Sequence, residues 1–453
     1  MTISDALAGL LLFLATPLSA LAADLYVPAN YATIQAAVNA AVSGDTIHIA
    51  PGVYVEQITI TNKNLTLAGA PGAVIRAKAG MALTLSSYGW LRVGLLGIAL
   101  SDVVIRDLTL EGERLASAQP PYNDFVGIIY AGSNGRVEHC SVQGFRGATL
   151  SVFGSFGLLA GNPVSHGTPV THVDVLNSTF ADNDQSIDFF GDDSLNPTLL
   201  RMTFTIEGNV ITGNGPTPIG TQLGIGIGTG AGGDVRRNTI TDHAFTGGGF
   251  SFSYGIDTED GLAASRPQRV RVQTTRFEGN TFRNNQLNLV SLLGNGSRFI
   301  NNTFLGPGTG YRSHGLVVSG EGTQIRSNHF SNLPTGILLL GDDPDFGTAL
   351  GTTTNATLIG NRFCDVTKPI DTEPLVTGTT NQGTLLCPFL PPTLAIAPAV
   401  LLAWPDDGES WTLQSAPDPQ GPWSPLIVTP MLQDGQNSVG VKTDSDHRFF
   451  RLH

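Results

Sequence analysis

A three-residue pattern recurs through the middle of this chain: a small polar residue, any residue, then a large apolar one. Its later copies are Asn209-Val210-Ile211, Asn238-Thr239-Ile240, Asn280-Thr281-Phe282, Asn302-Thr303-Phe304, Asn328-His329-Phe330 and Asn361-Arg362-Phe363. Leu108-Thr109-Leu110, Cys140-Ser141-Val142 and Ser178-Thr179-Phe180 continue the same frame upstream without the Asn. Successive copies are 32, 38, 31, 29, 42, 22, 26 and 33 residues apart. An irregular period of this size belongs to stacked coils, in which the core is constant and the loops vary in length.

Alternation assigns the faces. Residues two apart share one side of a strand. If the Phe or Ile points inward, so does the Asn before it, and a buried amide is costly unless it is hydrogen-bonded. Coils stacked about 4.8 Å apart supply the partner, the Asn or backbone of the next coil. These asparagines are therefore read as structural, and Cys140 in the same position as a buried thiol.

A second strand is expected after the first in each coil. Ile187-Asp188-Phe189-Phe190-Gly191 and Ile337-Leu338-Leu339-Leu340-Gly341 each begin seven residues after the preceding Phe. Leu150-Ser151-Val152-Phe153-Gly154, Val290-Ser291-Leu292-Leu293-Gly294 and Leu316-Val317-Val318-Ser319-Gly320 are aligned with them. In this frame Phe153, Asp188, Phe190, Ser291, Leu293, Leu338 and Leu340 face outward, joined by Phe252 and Tyr254. The outward stripe is more apolar than a bare surface should be. Loops or a further module covering it is one reading, and an aromatic-lined groove for sugar rings is the other.

The chain carries a formal charge of −13. That balance disfavours nucleic acid and anionic membranes as partners. A neutral glycan meets no such objection, whereas a uronate polymer would need Ca²⁺ or a local basic patch as a bridge. The apolar run Ala6 to Leu21 is short for a membrane span and ends in Ala20-Leu21-Ala22-Ala23, so residues 1–23 read as an export signal and the protein as secreted. The segment before that run departs from the usual pattern, with no Lys or Arg and with Asp5. Of three cysteines, Cys364 and Cys387 are close enough in sequence for a disulfide in an oxidising compartment.

Thr33-Ile34-Gln35-Ala36-Ala37-Val38, Gly44-Asp45-Thr46-Ile47 and Pro51-Gly52-Val53-Tyr54-Val55-Glu56 resemble the N-terminal segment of pectin-lyase-like right-handed β-helix proteins. The resemblance implies an all-β, right-handed parallel β-helix of about ten coils over residues 24–390, with a short helix at Tyr31 to Ala41 capping the first coil. It does not imply one activity, because this scaffold hosts lyases, hydrolases, esterases and non-enzymes. Residues 391–453 follow a Pro-rich link. Their Leu402-Ala403-Trp404-Pro405, Leu413-Gln414-Ser415-Ala416 and Arg448-Phe449-Phe450-Arg451-Leu452 resemble small β-sandwich modules that end secreted proteins of Verrucomicrobia-like and Planctomycetes-like bacteria. Trp404, Trp411 and Trp423 are expected in that module's core.

The longest loops, about 155–169, 192–198, 256–269 and 342–355, are expected to follow the second strand and overhang one edge. They carry His166, Asp192, Asp193, Asp257, Glu259, Asp260, Asp342, Asp343 and Asp345, with Asp184 and Asp188 beside them. Paired carboxylates are what glycosidic cleavage needs, and clustered carboxylates also suit Ca²⁺. Asp188 stands apart, because a mid-strand position between apolar neighbours gains nothing from Asp. Partial burial there would raise its pKa and suit it to proton donation. Asp188, Asp192, Asp193, His166, Asp257 and Asp260 are therefore the candidate catalytic residues, and Phe153, Phe190, Phe252 and Tyr254 the candidate sugar contacts.

Motifs of pectinesterases, polygalacturonases and pectate lyases are each incomplete here. Ser186 to Gly191 is one residue short of the first, Asp192-Asp193 and His314-Gly315 are too far apart for the second, and Arg266, Arg269 and Arg271 lack the context of the third. Two functions follow. One is a carbohydrate-active enzyme of hydrolase or lyase type acting on a polysaccharide. The other is a non-catalytic extracellular rod.

Overall fold

The computed structural model describes residues 22–85, 91–119, 125–147, 155–161, 169–191, 201–217, 222–228, 230–246, 253–258, 274–306, 313–341, 351–387, 399–405, 411–416, 418–426, 431–433, 436–442 and 449–452. Two compact units divide at Pro388 and Phe389. The first is a right-handed parallel β-helix. One of its ladders has thirteen parallel strands, from Asp24–Val27 to Thr380–Gln382. A second ladder holds the Asn-x-apolar strands and a third the strands that follow them. The two merge in the continuous strands His329–Leu339 and Arg362–Thr372.

The asparagine ladder forms as the alternation requires. Asn209, Asn238, Asn280, Asn302, Asn328 and Asn361 are all buried. From Asn209 to Asn328, each amide Nδ2 donates to the Oδ1 of the next Asn at 3.0 Å. The same Nδ2 donates to a backbone carbonyl of the preceding coil, Val175 for Asn209 and Phe299 for Asn328. Each Oδ1 also accepts the backbone N–H of the Asn one coil earlier. Ser178 and Cys140 extend this chain of bonds upstream. Cys140 is a buried free thiol, its pKa pushed up to about 12 by burial. Two positions on, Phe282, Phe304, Phe330 and Phe363 stack with ring centroids 4.9, 4.7 and 5.0 Å apart.

The helix capping the first coil is Ile34–Ala40, started by Thr33, whose hydroxyl accepts the Ala36 N–H. It buries Ile34, Ala37 and Val38 over the core, which closes the apolar end of the stack. At the other end Cys364 and Cys387 are bonded, with Cα atoms 4.9 Å apart.

Among the described residues, the second unit has two three-stranded antiparallel sheets. Ala399–Pro405, Gln436–Lys442 and Met431–Gln433 form one, and Ser424–Pro425, Leu413–Ala416 and Phe449–Leu452 the other. Trp404 is buried, but Trp411 is 44% exposed, contrary to the core position expected of it. Trp423 is half-buried, with the Arg451 guanidinium 4.5 Å above its ring.

Removing one rung leaves the neighbouring amides unpaired, so Asn302→Ala or Asn328→Ala is expected to lower unfolding free energy by about 1–3 kcal/mol. Val210→Thr, at an exposed strand position, is the control and should change little. Equal midpoints in urea for all three would remove the ladder from the account of stability.

Candidate functional site

The third ladder positions the candidate site. Ile187 and Phe189 point into the core, so Asp188 between them faces outward. Cα register places Asp188 beside Leu159 of the preceding coil and Gly226 of the next, and Gly226 beside Asp257. Asp188 and Asp257 thus occupy one outward column, two rungs or about 10 Å apart along the stack. The expectation put Asp257 in a loop, whereas it lies within the strand Tyr254–Thr258. A signal for this exists in the sequence. Ser186-Ile187-Asp188, Gly224-Ile225-Gly226 and Gly255-Ile256-Asp257 repeat a small residue, Ile, then Asp or Gly.

Gly226 and Gly228 are where two side chains of the previous coil come to rest. A Cβ on Gly226 would meet the Asp188 Oδ1 at 2.6 Å, and one on Gly228 would collide with the Phe190 ring. The carboxyl of Asp188 therefore leans over the glycine rung toward the coil of Asp257.

Apolar clusters lie on either side of these three coils. Val126, Ile129, Ala131, Phe156 and Leu159 form one, with Phe190 packed against it. Leu287, Val290, Leu292, Val317 and Leu340 form the other, with Tyr254 and Leu338 against it. Ile129 and Leu159 are fully buried, whereas Phe190, Tyr254 and Leu338 are half-buried, so the outward stripe is covered in part. Asp188 is only 2% exposed and Asp257 8%. Burial is accordingly deeper than the partial burial expected for Asp188.

Burial pushes the Asp188 carboxyl up to about 8, opposed by the Arg92 guanidinium and by the backbone N–H of Phe189. Its Oδ1 has no hydrogen-bond partner among the described residues. Arg92 lies 5.1 Å from the centroid of Phe156, which is in register with Gln185 at the start of the Asp188 strand. Sequence reasoning missed Arg92, which belongs to a coil three rungs earlier and carries no local motif.

Other expectations change. The strand that pairs with the Asp188 strand in the preceding coil is Phe156–Gly161, and Leu150 to Gly154 lie outside the described residues. Ser291 faces the core, 2% exposed, and Val290 faces outward in the Asp257 column. That one-residue slip exchanges the two faces of the strand. Phe153, His166, Asp192, Asp193, Phe252, Glu259, Asp260, Asp342, Asp343 and Asp345 lie outside the described residues, and of the catalytic candidates among the described residues Asp188 and Asp257 share one column. Among the described residues, no group of three or more His, Cys, Asp or Glu is placed to hold a metal ion. Among them, too, no helix is long and apolar enough to cross a membrane.

No protein-family model matches the chain, and no curated protein sequence matches it. Among solved structures, it is similar to the A-module of a mannuronan C-5 epimerase from Azotobacter vinelandii. That likeness has 16% identity and a TM-score of 0.47, over 78% of this chain and 94% of that one. An alginate lyase from Paenibacillus sp. is similar at 14% identity and TM-score 0.40, over 80% and 97% of the two chains. A mannuronic-acid-specific family 6 polysaccharide lyase from human gut microbiota is similar at 14% identity and TM-score 0.39, over 81% and 83%.

The raised pKa fixes a sign for stability against pH. The folded chain holds the Asp188 proton up to about pH 8, whereas the unfolded chain releases it near 3.8. Stability is therefore lost as pH rises between those values, by at most about 6 kcal/mol. Asp188→Asn should match the parent near pH 4, gain steadily toward pH 8 and hold that gain above it. Urea midpoints across pH 4–9 read this directly, and parallel profiles for the two proteins would contradict the buried acid.

Proposed function

We propose that this chain is an exported, carbohydrate-active β-helix enzyme performing acid–base chemistry on an extracellular polysaccharide. Asp188 is the proton donor and Asp257 the second carboxylate. The observation that carries the reading is Asp188 itself: a buried carboxyl with an unsatisfied oxygen and a pKa of about 8, leaning over a glycine rung in register with a second Asp. Such a group destabilises a purely structural coil, and the glycines it requires weaken the strand beside it. Active sites are where that kind of local cost is found.

Chemically, a carboxyl that keeps its proton at neutral pH can donate it to a glycosidic oxygen as the bond breaks. Gly226 removes the side chain that would separate the two acids. Phe190 and Tyr254, both half-buried, provide ring faces at the margin of the same patch. The net charge of −13 favours a neutral glycan over a uronate polymer without Ca²⁺.

A rod without catalytic activity is the second reading. It is favoured by the near-complete burial of Asp188 and the full burial of Ile129 and Leu159. A polysaccharide panel, read for reducing ends and for absorbance of unsaturated products with and without Ca²⁺, separates the two. Cleavage of at least one glycan is expected, lost at least about 100-fold in Asp188→Asn with the fold retained. Silence across the panel, or full activity in Asp188→Asn, would favour the rod or move the chemistry elsewhere.

A further inference from the structure

We infer that an export peptidase cuts this chain between Ala22 and Ala23, and that the new α-ammonium of Ala23 is captured by the buried carboxylate of Asp45. The inference rests on the export reading above and moves the end of the leader from residue 23 to residue 22. In sequence, Ala20-Leu21-Ala22 puts small residues at the two positions that such cleavage reads, directly after the apolar run.

The structure supplies the independent observation. The backbone N of Ala23 lies 2.8 Å from Asp45 Oδ1, and the Val42 N–H donates to Oδ2, also at 2.8 Å. Asp45 is 3% exposed, and among the described residues no ion pair reaches it. In the uncut chain it is thus a buried carboxyl whose nearby donors are neutral amides. A buried carboxylate held by two neutral amides gains further when one of those donors becomes a cation. Ala23 is held in register, since its carbonyl accepts the Thr46 N–H at 2.9 Å, and Asp24 pairs with Thr46 in the first rung. An open depression lined by Ala23, Asp24, Tyr31, Val42 and Asp45 adjoins the site.

Hydrolysis adds one water across the Ala22–Ala23 peptide bond. Ala22 leaves with a carboxylate, and the Ala23 nitrogen becomes an amine that takes up a proton. A neutral N–H bond to Asp45 is thereby replaced by a charge-assisted one. A cut after Ala23 would not do this. It would place the ammonium on Asp24, about 3.3 Å further along an extended strand whose side chains alternate faces. The Asp24 carboxylate is already engaged there by His48 at 2.7 Å.

The test has two arms. In the first, the full chain is expressed in a bacterial host behind a basic Met-Lys-Lys start, and the exported product is weighed by intact mass spectrometry. A chain beginning at Ala23 is expected. One beginning at another residue overturns the cleavage, and an intact leader overturns the export reading with it. In the second, chains released by a protease so that they begin at Ala23 are compared with chains carrying Gly-Ser ahead of Ala23. The extension should lower Tm at pH 7 by about 2 °C. The advantage of the free terminus should fade as pH rises through the ammonium pKa, and Asp45→Asn should be indifferent to the extension. Equal Tm with and without the extension, or an unchanged extension effect in Asp45→Asn, overturns the capture. If Asp45→Asn does not fold, the extension comparison decides alone.

Discussion

The buried asparagine amide is the constraint on which the helical stack depends. Each one in the chain from Asn209 to Asn328 donates its backbone N–H and an amide hydrogen to the Asn of the next coil, while its own oxygen accepts from the coil before, so its bonds are complete only if both neighbours keep the same register. A slip of one residue would turn those amides outward and leave their partners unsatisfied in the core. Register is therefore held while the chain between rungs varies from 22 to 42 residues. Phe stacking two positions on adds dispersion along the same axis but could tolerate a sliding neighbour. The amides cannot, because hydrogen bonds are directional.

Fixed register has a consequence on the opposite ladder. Residues far apart in sequence are brought into columns, and a column can be apolar in one stretch and polar in the next. Between the two outward apolar clusters lie Asp188, Gly226 and Asp257, each one rung from the next. Loop insertions elsewhere in these coils do not disturb that arrangement. The glycines at 226 and 228 are complements to Asp188 and Phe190 rather than flexible joints, since a methyl group at either would meet the side chain of the previous coil.

How much of this is legible from sequence follows from what each feature leaves behind. The asparagine ladder is written as a repeated residue with an apolar companion two positions on, and alternation alone assigns its face. Asp188 is legible because an acid interrupts an apolar strand. Asp257 is not, because it stands near the end of a short strand just before Glu259 and Asp260 and reads as part of that acidic cluster. The frame around Val290 fails for a different reason. Leu289, Val290 and Leu292 are all apolar and all buried, so a strand covered on both faces loses the alternation that marks its sides. Arg92 reaches the site from three coils away, and no local pattern encodes that distance.

Two buried aspartates show how the same side chain is set to different ends by its neighbours. Both oxygens of Asp45 accept backbone N–H groups, from Ala23 and Val42, at the closed end of the helix where the chain begins its first rung. Asp188 has the backbone N–H of Phe189 and the distant Arg92 on its side, an Oδ1 with no partner among the described residues, and apolar clusters above and below. The first environment stabilises an anion and rewards a cation placed beside it. The second stabilises the protonated acid, which is a poor way to hold a coil together and a serviceable way to keep a proton available at neutral pH. The difference lies in backbone geometry, since a turn aims the Val42 N–H and the chain entering the first strand aims the Ala23 N–H at Asp45, whereas a strand directs the amides around Asp188 to its neighbours in the ladder.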